Sequence, residues 1–180
     1  DYDNDGDLDF IYSGTKIINQ VYTKIYENKG NDIFEPLVGA NITGFYDNSI
    51  AWGDYDNDSD LDILISGRTT TYSGDAASKV YKNNGNGNFT ELTNLPFVQI
   101  YKSEVSWGDY DNDGDLDILL NGTTSYSGSE YHSKIYKNIG NDSFTELIGM
   151  PFENLGEGSL IWGDYDNDGD KDLFIGSRVK

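Results

Sequence analysis

Trp107-Gly108-Asp109-Tyr110-Asp111-Asn112-Asp113-Gly114-Asp115-Leu116-Asp117-Ile118-Leu119-Leu120 places five carboxylates at alternate positions of a nine-residue stretch and follows them with an apolar run. The nine-residue pattern occurs four times, starting at Asp1, Asp54, Asp109 and Asp164, at intervals of 53, 55 and 55 residues. Trp-Gly precedes three of the copies, as Trp52-Gly53, Trp107-Gly108 and Trp162-Gly163. Each copy leads into an apolar segment: Phe10-Ile11-Tyr12, Ile63-Leu64-Ile65, Ile118-Leu119-Leu120 and Leu173-Phe174-Ile175. A fixed period of this length marks a chain built from one supersecondary unit repeated.

The rest of the unit recurs as well. Lys24-Ile25-Tyr26-Glu27-Asn28, Lys79-Val80-Tyr81-Lys82-Asn83 and Lys134-Ile135-Tyr136-Lys137-Asn138 are equivalent. A Gly/Asn-rich turn follows each, then Phe34-Glu35-Pro36-Leu37, Phe89-Thr90-Glu91-Leu92 or Phe144-Thr145-Glu146-Leu147. Short segments rich in Ile, Val, Tyr, Phe and Thr between Gly/Asn clusters read as strands, and no segment sustains a helical period. The first strand ends at Trp-Gly, for example Glu104 to Gly108, and the acidic loop follows it. The second is the apolar run, whose consecutive apolar positions suit burial on both faces. The third and fourth form a hairpin across the Gly/Asn turn. The fold class expected is therefore all-β: four-stranded antiparallel blades of an incomplete β-propeller, or an open array of such blades. A solenoid of β-hairpins is the rival architecture. The units expected are residues 1–48 (partial), 49–103, 104–158 and 159–180 (partial). Asp1 already lies inside a motif, so the sequence reads as an excerpt of a longer chain.

Five carboxylates in nine residues repel one another unless a positive charge sits among them. A hard divalent cation prefers oxygen ligands, and calcium accepts six to eight in a flexible geometry. In a tight loop the side chains of positions 1, 3 and 5 turn inward, position 7 offers its carbonyl, and the aspartate at position 9 can bind through both oxygens. The side-chain ligands expected are Asp1, Asp3, Asp5 and Asp9; Asp54, Asp56, Asp58 and Asp62; Asp109, Asp111, Asp113 and Asp117; and Asp164, Asp166, Asp168 and Asp172. Asp7, Asp60, Asp115 and Asp170 are expected to contribute mainly their carbonyls. The cofactor expected is calcium, about one ion per loop and up to four in all. Magnesium suits the loop less well, because it demands a small octahedral site and keeps several waters. A solvated acidic turn that binds nothing is the bland alternative, and four copies at one spacing weigh against it. Ser59 stands where the other loops have Gly6, Gly114 and Gly169; if that position needs positive φ, the second site is strained.

Charge concentrates in the same places. Of 32 acidic residues, 20 lie in the four loops, and the remaining 12 match the 12 Lys and Arg, which leaves a formal net charge of −20. No basic stripe exists, so nucleic acid is excluded as a partner. No long apolar run exists, so no membrane span is expected. Cysteine is absent, which removes disulfides, thiolate metal sites and cysteine nucleophiles.

Asp-x-Asp-x-Asp-Gly-x-x-Asp, followed by an apolar strand and Gly, resembles the FG-GAP/VCBS repeat family, to which the calcium-binding blades of integrin α-subunit propellers belong. The resemblance runs over essentially the whole chain. It implies that the loop joins the first and second strands of a blade and that its ligands fall on the sixteen aspartates above. It also implies an extracellular or cell-surface, non-enzymatic role in adhesion, ligand recognition or structure. The family propeller usually has seven blades, and this chain holds little more than three repeats. The partners expected are accordingly calcium, other repeats of the same chain or other copies, and a possible glycan or protein ligand.

Several features fall outside the loops. Trp52, Trp107 and Trp162 suit core packing between units better than a binding platform. His132, beside Tyr131, has no nucleophile or base in sequence register, so catalysis by it is not expected. The segments at residues 15–20, 68–77 and 123–132 vary between units. The last two carry the Thr, Ser, Tyr and Gly that polar contacts with sugars or proteins use, though ordinary solvated loops have the same composition. Asn41, Asn57, Asn88, Asn121 and Asn141 open glycosylation triplets, and Asn57 sits inside an acidic loop. Three other functions share this sequence. They are a glycan- or protein-binding propeller, a surface-filament subunit and, last, a carbohydrate-active enzyme, for which no unique acidic pair outside the loops is found.

Overall fold

The computed structural model describes residues 1–17, 20–70, 75–125, 127, 129–151, 154–156 and 158–177. Parts of the three variable segments, residues 18–19, 71–74, 126 and 128, lie outside the described residues. Among those described, the chain is all-β and none of its helices is long and apolar enough to cross a membrane, since it has thirteen strands and no helix. The first sheet holds β1 (Phe10–Ile17), β2 (Gln20–Asn28) and β3 (Phe34–Pro36). The second holds β4 (Tyr46–Gly53), β5 (Asp62–Arg68), β6 (Ala76–Asn83) and β7 (Phe89–Glu91). The third holds β8 (Tyr101–Gly108), β9 (Asp117–Thr123), β10 (Tyr131–Asn138) and β11 (Phe144–Glu146). The fourth pairs β12 (Gly158–Gly163) with β13 (Asp172–Ser177). Every pairing is antiparallel and between chain neighbours, and no sheet closes into a barrel. These are successive open blades.

Register places the acidic loops. Gly53 pairs with Asp62, Gly108 with Asp117 and Gly163 with Asp172, so each complete loop is the connection between first and second strands. The third-to-fourth hairpins turn through three consecutive left-handed residues: Gly30-Asn31-Asp32, Gly85-Asn86-Gly87 and Gly140-Asn141-Asp142. Gly, Asn and Asp tolerate that region best, which is why these turns have the composition they do. First strands reach further back than the apolar pattern indicates. β8 begins at Tyr101 rather than Glu104, because a bulge at Lys102 (φ 44°) shifts the register between Tyr101 and Glu104. Asp47 (φ 47°) does the same in β4.

The core lies between blades. β5 and β9 are buried at every position, as expected of strands covered on both faces. Ile63 and Ile65 pack with Tyr2 and Ile25 of the first blade, while Leu64 of the same strand packs with Ile118 and Leu120 of the third. Alternating side chains of one strand thus serve two neighbours. Phe10 and Tyr12, at the positions of Ile63 and Ile65, are 42% and 43% exposed, since among the described residues no blade covers that face.

The tryptophans complete each junction, which answers the choice between packing and platform. Trp107 stacks on Tyr55 of the preceding blade (centroids 5.9 Å apart, planes 8° off parallel) and donates its indole N–H to Ala51 O at 3.3 Å. Trp52 stacks likewise on Tyr2, at 6.4 Å. Beneath each downstream indole lies the glycine of the upstream Trp-Gly pair. A Cβ on Gly53 would lie 2.6 Å from Trp107 Cδ1, and one on Gly108 2.5 Å from Trp162 Cδ1. Replacing Gly53 with Ala is therefore expected to cost about 1–3 kcal/mol by overpacking, read as a lower urea midpoint with an unchanged slope.

Candidate metal centres

The acidic loops share one hydrogen-bond scheme. The position-1 aspartate accepts the position-6 N–H: Gly6 to Asp1, Ser59 to Asp54, Gly114 to Asp109 and Gly169 to Asp164, all at 2.9–3.1 Å. The position-5 aspartate accepts the position-7 N–H, as from Asp60 to Asp58 at 3.0 Å and from Asp170 to Asp168 at 2.9 Å. These bonds wind the carboxylates inward and leave position 6 with φ of 97°, 77°, 93° and 96° for Gly6, Ser59, Gly114 and Gly169. The position does need positive φ. Ser59 is accommodated because the equivalent glycines Gly6, Gly114 and Gly169 have open space where a Cβ would stand. Its cost is torsional rather than steric.

The position-9 aspartate closes the loop. Asp62 Oδ2 accepts Tyr55 N–H at 3.1 Å and Oδ1 accepts Asn83 N–H at 2.8 Å. Asp117 does the same with Tyr110 and Asn138, at 3.1 and 2.8 Å, and Asp9 with Tyr2 and Asn28, at 3.0 and 2.8 Å. Asp62 and Asp117 are completely buried. Each oxygen keeps one lone-pair direction beyond its N–H bond. Burial drives the Asp62 carboxyl up to about 7 and that of Asp117 to about 6, against the pull of the two N–H groups.

Carboxylate oxygens converge in every loop. One oxygen each from Asp1, Asp3 and Asp5, or from Asp54, Asp56 and Asp58, lies within 4.8 Å of the others. In the later loops the converging sets are Asp109, Asp111 and Asp117, and Asp164, Asp166 and Asp172. Asp113 is held instead by Asp115 N–H and Lys137, both at 3.1 Å, which keep its carboxyl below the usual range. Asp1 Oδ1 and Asp56 Oδ1 are buried without a hydrogen-bond partner. An anionic oxygen withdrawn from water with nothing to bind is costly. A hard cation accepting several oxygens fits such a donor set, whereas a soft metal would need the thiolate or imidazole that these loops lack.

Three features were not read from the sequence. The position-7 side chains face a neighbouring loop: Asn4 donates to Asp60 at 3.0 Å, Asn57 to Asp115 at 2.9 Å and Asn112 to Asp170 at 2.6 Å. Position 4, always Asn at φ near 60°, thereby ties each loop to the next. Asn83 and Asn138 are buried and donate to Tyr2 O and Tyr55 O of the preceding blade, at 2.9 and 2.8 Å. Lys82 contacts Asp56 and lies 3.6 Å from Asp58, while Lys137 contacts Asp111 as well as Asp113. Their only signal in the sequence was recurrence itself. His132 lies in β10, paired with Gly122 at the end of the blade away from the acidic loop, and its Nε2 is 3.3 Å from Thr124 Oγ1 in an exposed contact.

Two outcomes follow from this geometry. Ser59→Gly is expected to stabilise the chain by about 1 kcal/mol through relief of the left-handed backbone, measured by chemical denaturation in chelator. The raised Asp62 and Asp117 carboxyls set a pH dependence. Between the ordinary carboxylate range and about 7 the native state binds more protons than the unfolded state, so in chelator stability falls as pH rises from about 4 to 7. Melting temperature against pH, with and without chelator, checks it.

Comparison with curated proteins and with solved structures gives no match. The family described as FG-GAP-like repeat matches residues 1–65 and 69–120, well over half of the chain. Loop spacing, blade register and this match agree, and the chain belongs to the FG-GAP-like repeat family.

Proposed function

We propose that the chain is a calcium-binding, non-enzymatic repeat module of extracellular or cell-surface proteins, acting in adhesion or as a structural segment. The observation that carries this reading is the convergence of three carboxylate oxygens within 4.8 Å in each of four loops, two of which hold a buried oxygen without a partner. Positions 1, 3, 5 and 9 of each loop supply side-chain ligands: Asp1, Asp3, Asp5 and Asp9 in the first, and their equivalents in the others. Asp7, Asp60, Asp115 and Asp170 supply carbonyls. When bound, calcium neutralises the carboxylate cluster, and the protein's own hydrogen bonds hold the loop in shape around it.

Rigidity is the purpose of this arrangement. The Asn side chains pass the order of one loop to the next, and the buried aspartates pass it to the third strand of each blade. Recognition of a glycan or protein would then fall to surfaces away from the acidic loops, presented on a stiff array. Further repeats of the same chain or other copies are the proposed neighbours of the exposed terminal faces.

Calcium at tenfold its dissociation constant adds about 1.4 kcal/mol per site. A calcium titration followed by thermal melting and calorimetry should show a large rise in melting temperature, reversed by chelator, with up to four ions bound. Melting that ignores chelator, together with no bound metal by elemental analysis, would sink the reading.

A further inference from the structure

The lysines that enter two of the loops distinguish those loops from a third. Lys82 and Lys137 each precede the asparagine whose N–H bonds the position-9 aspartate, so the backbone fixes them beside the loop. Their ammonium groups contact the position-3 and position-5 carboxylates, the same groups a cation would use. In the first blade that strand position is Glu27, and Asn28 N–H makes the same 2.8 Å bond to Asp9. Glu27 pairs with Lys29, and among the described residues no ammonium contacts Asp3 or Asp5. The first loop therefore has no lysine at its position-3 and position-5 carboxylates, its Glu27 being paired with Lys29 and its N-terminal ammonium lying 3.6 Å from Asp9, where the second and third each have a lysine on those two groups.

We propose that Lys82 and Lys137 are built-in counterions that stand in for the cation and compete with it, so that the second and third loops hold their shape without calcium and bind it more weakly, whereas the first loop, with Glu27, depends on the ion. The inference rests on the calcium reading above. Two positive charges cannot both occupy the space between the same two carboxylates. An incoming divalent ion must displace the ammonium, and the lost ion pair is subtracted from its affinity. Both lysines are about a quarter to a third exposed, so they can swing into solvent without leaving a buried charge. The array then responds to calcium in stages rather than all at once: the first loop fills first, and the lysine-bearing loops fill at higher concentration.

The test uses the whole 180-residue chain, calcium chloride as the probe and two variants of opposite sign. K82M/K137M keeps the apolar stems but removes the ammonium groups. It should melt a few degrees lower in chelator, while calcium affinity at two sites tightens about two- to fivefold. E27K should do the reverse, melting higher in chelator and weakening one site by a similar factor. Calorimetric titration reads the affinities, and paired melts in chelator and calcium read the crossover. The inference is overturned if the wild type binds calcium but both variants leave its affinities unchanged. It is equally overturned if each variant shifts the melts in chelator and calcium by the same amount, as a packing change would. A wild type that binds no calcium at all would instead overturn the calcium reading itself.

Discussion

In each of the first three blades two backbone N–H groups, one from the acidic loop and one from the third strand, meet on one carboxylate. Asp62 takes one from Tyr55, inside its own loop, and one from Asn83, at the end of β6. That single side chain fixes the entry of the loop, the start of the second strand and the end of the third. A buried charge is tolerated only when its lone pairs are satisfied, and satisfying them here draws the acidic loop against the sheet. The inward turn of the other carboxylates depends on that anchoring, as does the placement of the residue before the asparagine.

Stability in this architecture belongs to junctions more than to sheets. A blade has no core of its own: β5 gives Ile63 and Ile65 to one neighbour and Leu64 to the other. The polar contacts follow the same logic. Asn83 and Asn138 each bind a tyrosine carbonyl of the preceding blade, and Ser66 Oγ donates to Ile100 O in the link to the next at 2.9 Å. Stacked repeats of this kind gain stability from nearest-neighbour interfaces. The acidic loops add to these interfaces, since the asparagine of one loop bonds the position-7 aspartate of the next.

Much of this was legible in the sequence because it is written as chemistry at fixed spacing. Alternating aspartates around a glycine, Trp-Gly before them and an apolar run after them identify the loop, its flanking strands and a strand buried on both faces. The Gly/Asn turns were legible for a similar reason, since three left-handed residues in a row leave few residue types to choose from. What stayed hidden depends on direction. Spacing assigns position 7 a carbonyl role and leaves its side chain without a destination, which is the asparagine of the preceding loop. Nothing in one repeat reveals a bond made between two. The bulges at Asp47 and Lys102 were equally silent, because both residues are polar, unremarkable in a strand edge, and forced to positive φ by register rather than by type.

The indole resting on bare backbone at Gly53 and Gly108 has a geometric consequence. Close approach between adjacent blades is concentrated in their first and second strands, while the third and fourth diverge, so neighbouring sheets form a wedge. Its narrow edge is set where Trp107 meets Gly53 and Trp162 meets Gly108. Widening that edge by one methyl group would bring the sheets nearer to parallel, and a shallower wedge needs more members to complete a circle. The smallest side chain in the repeat thus controls curvature, and with it the circumference any longer array of these units would describe.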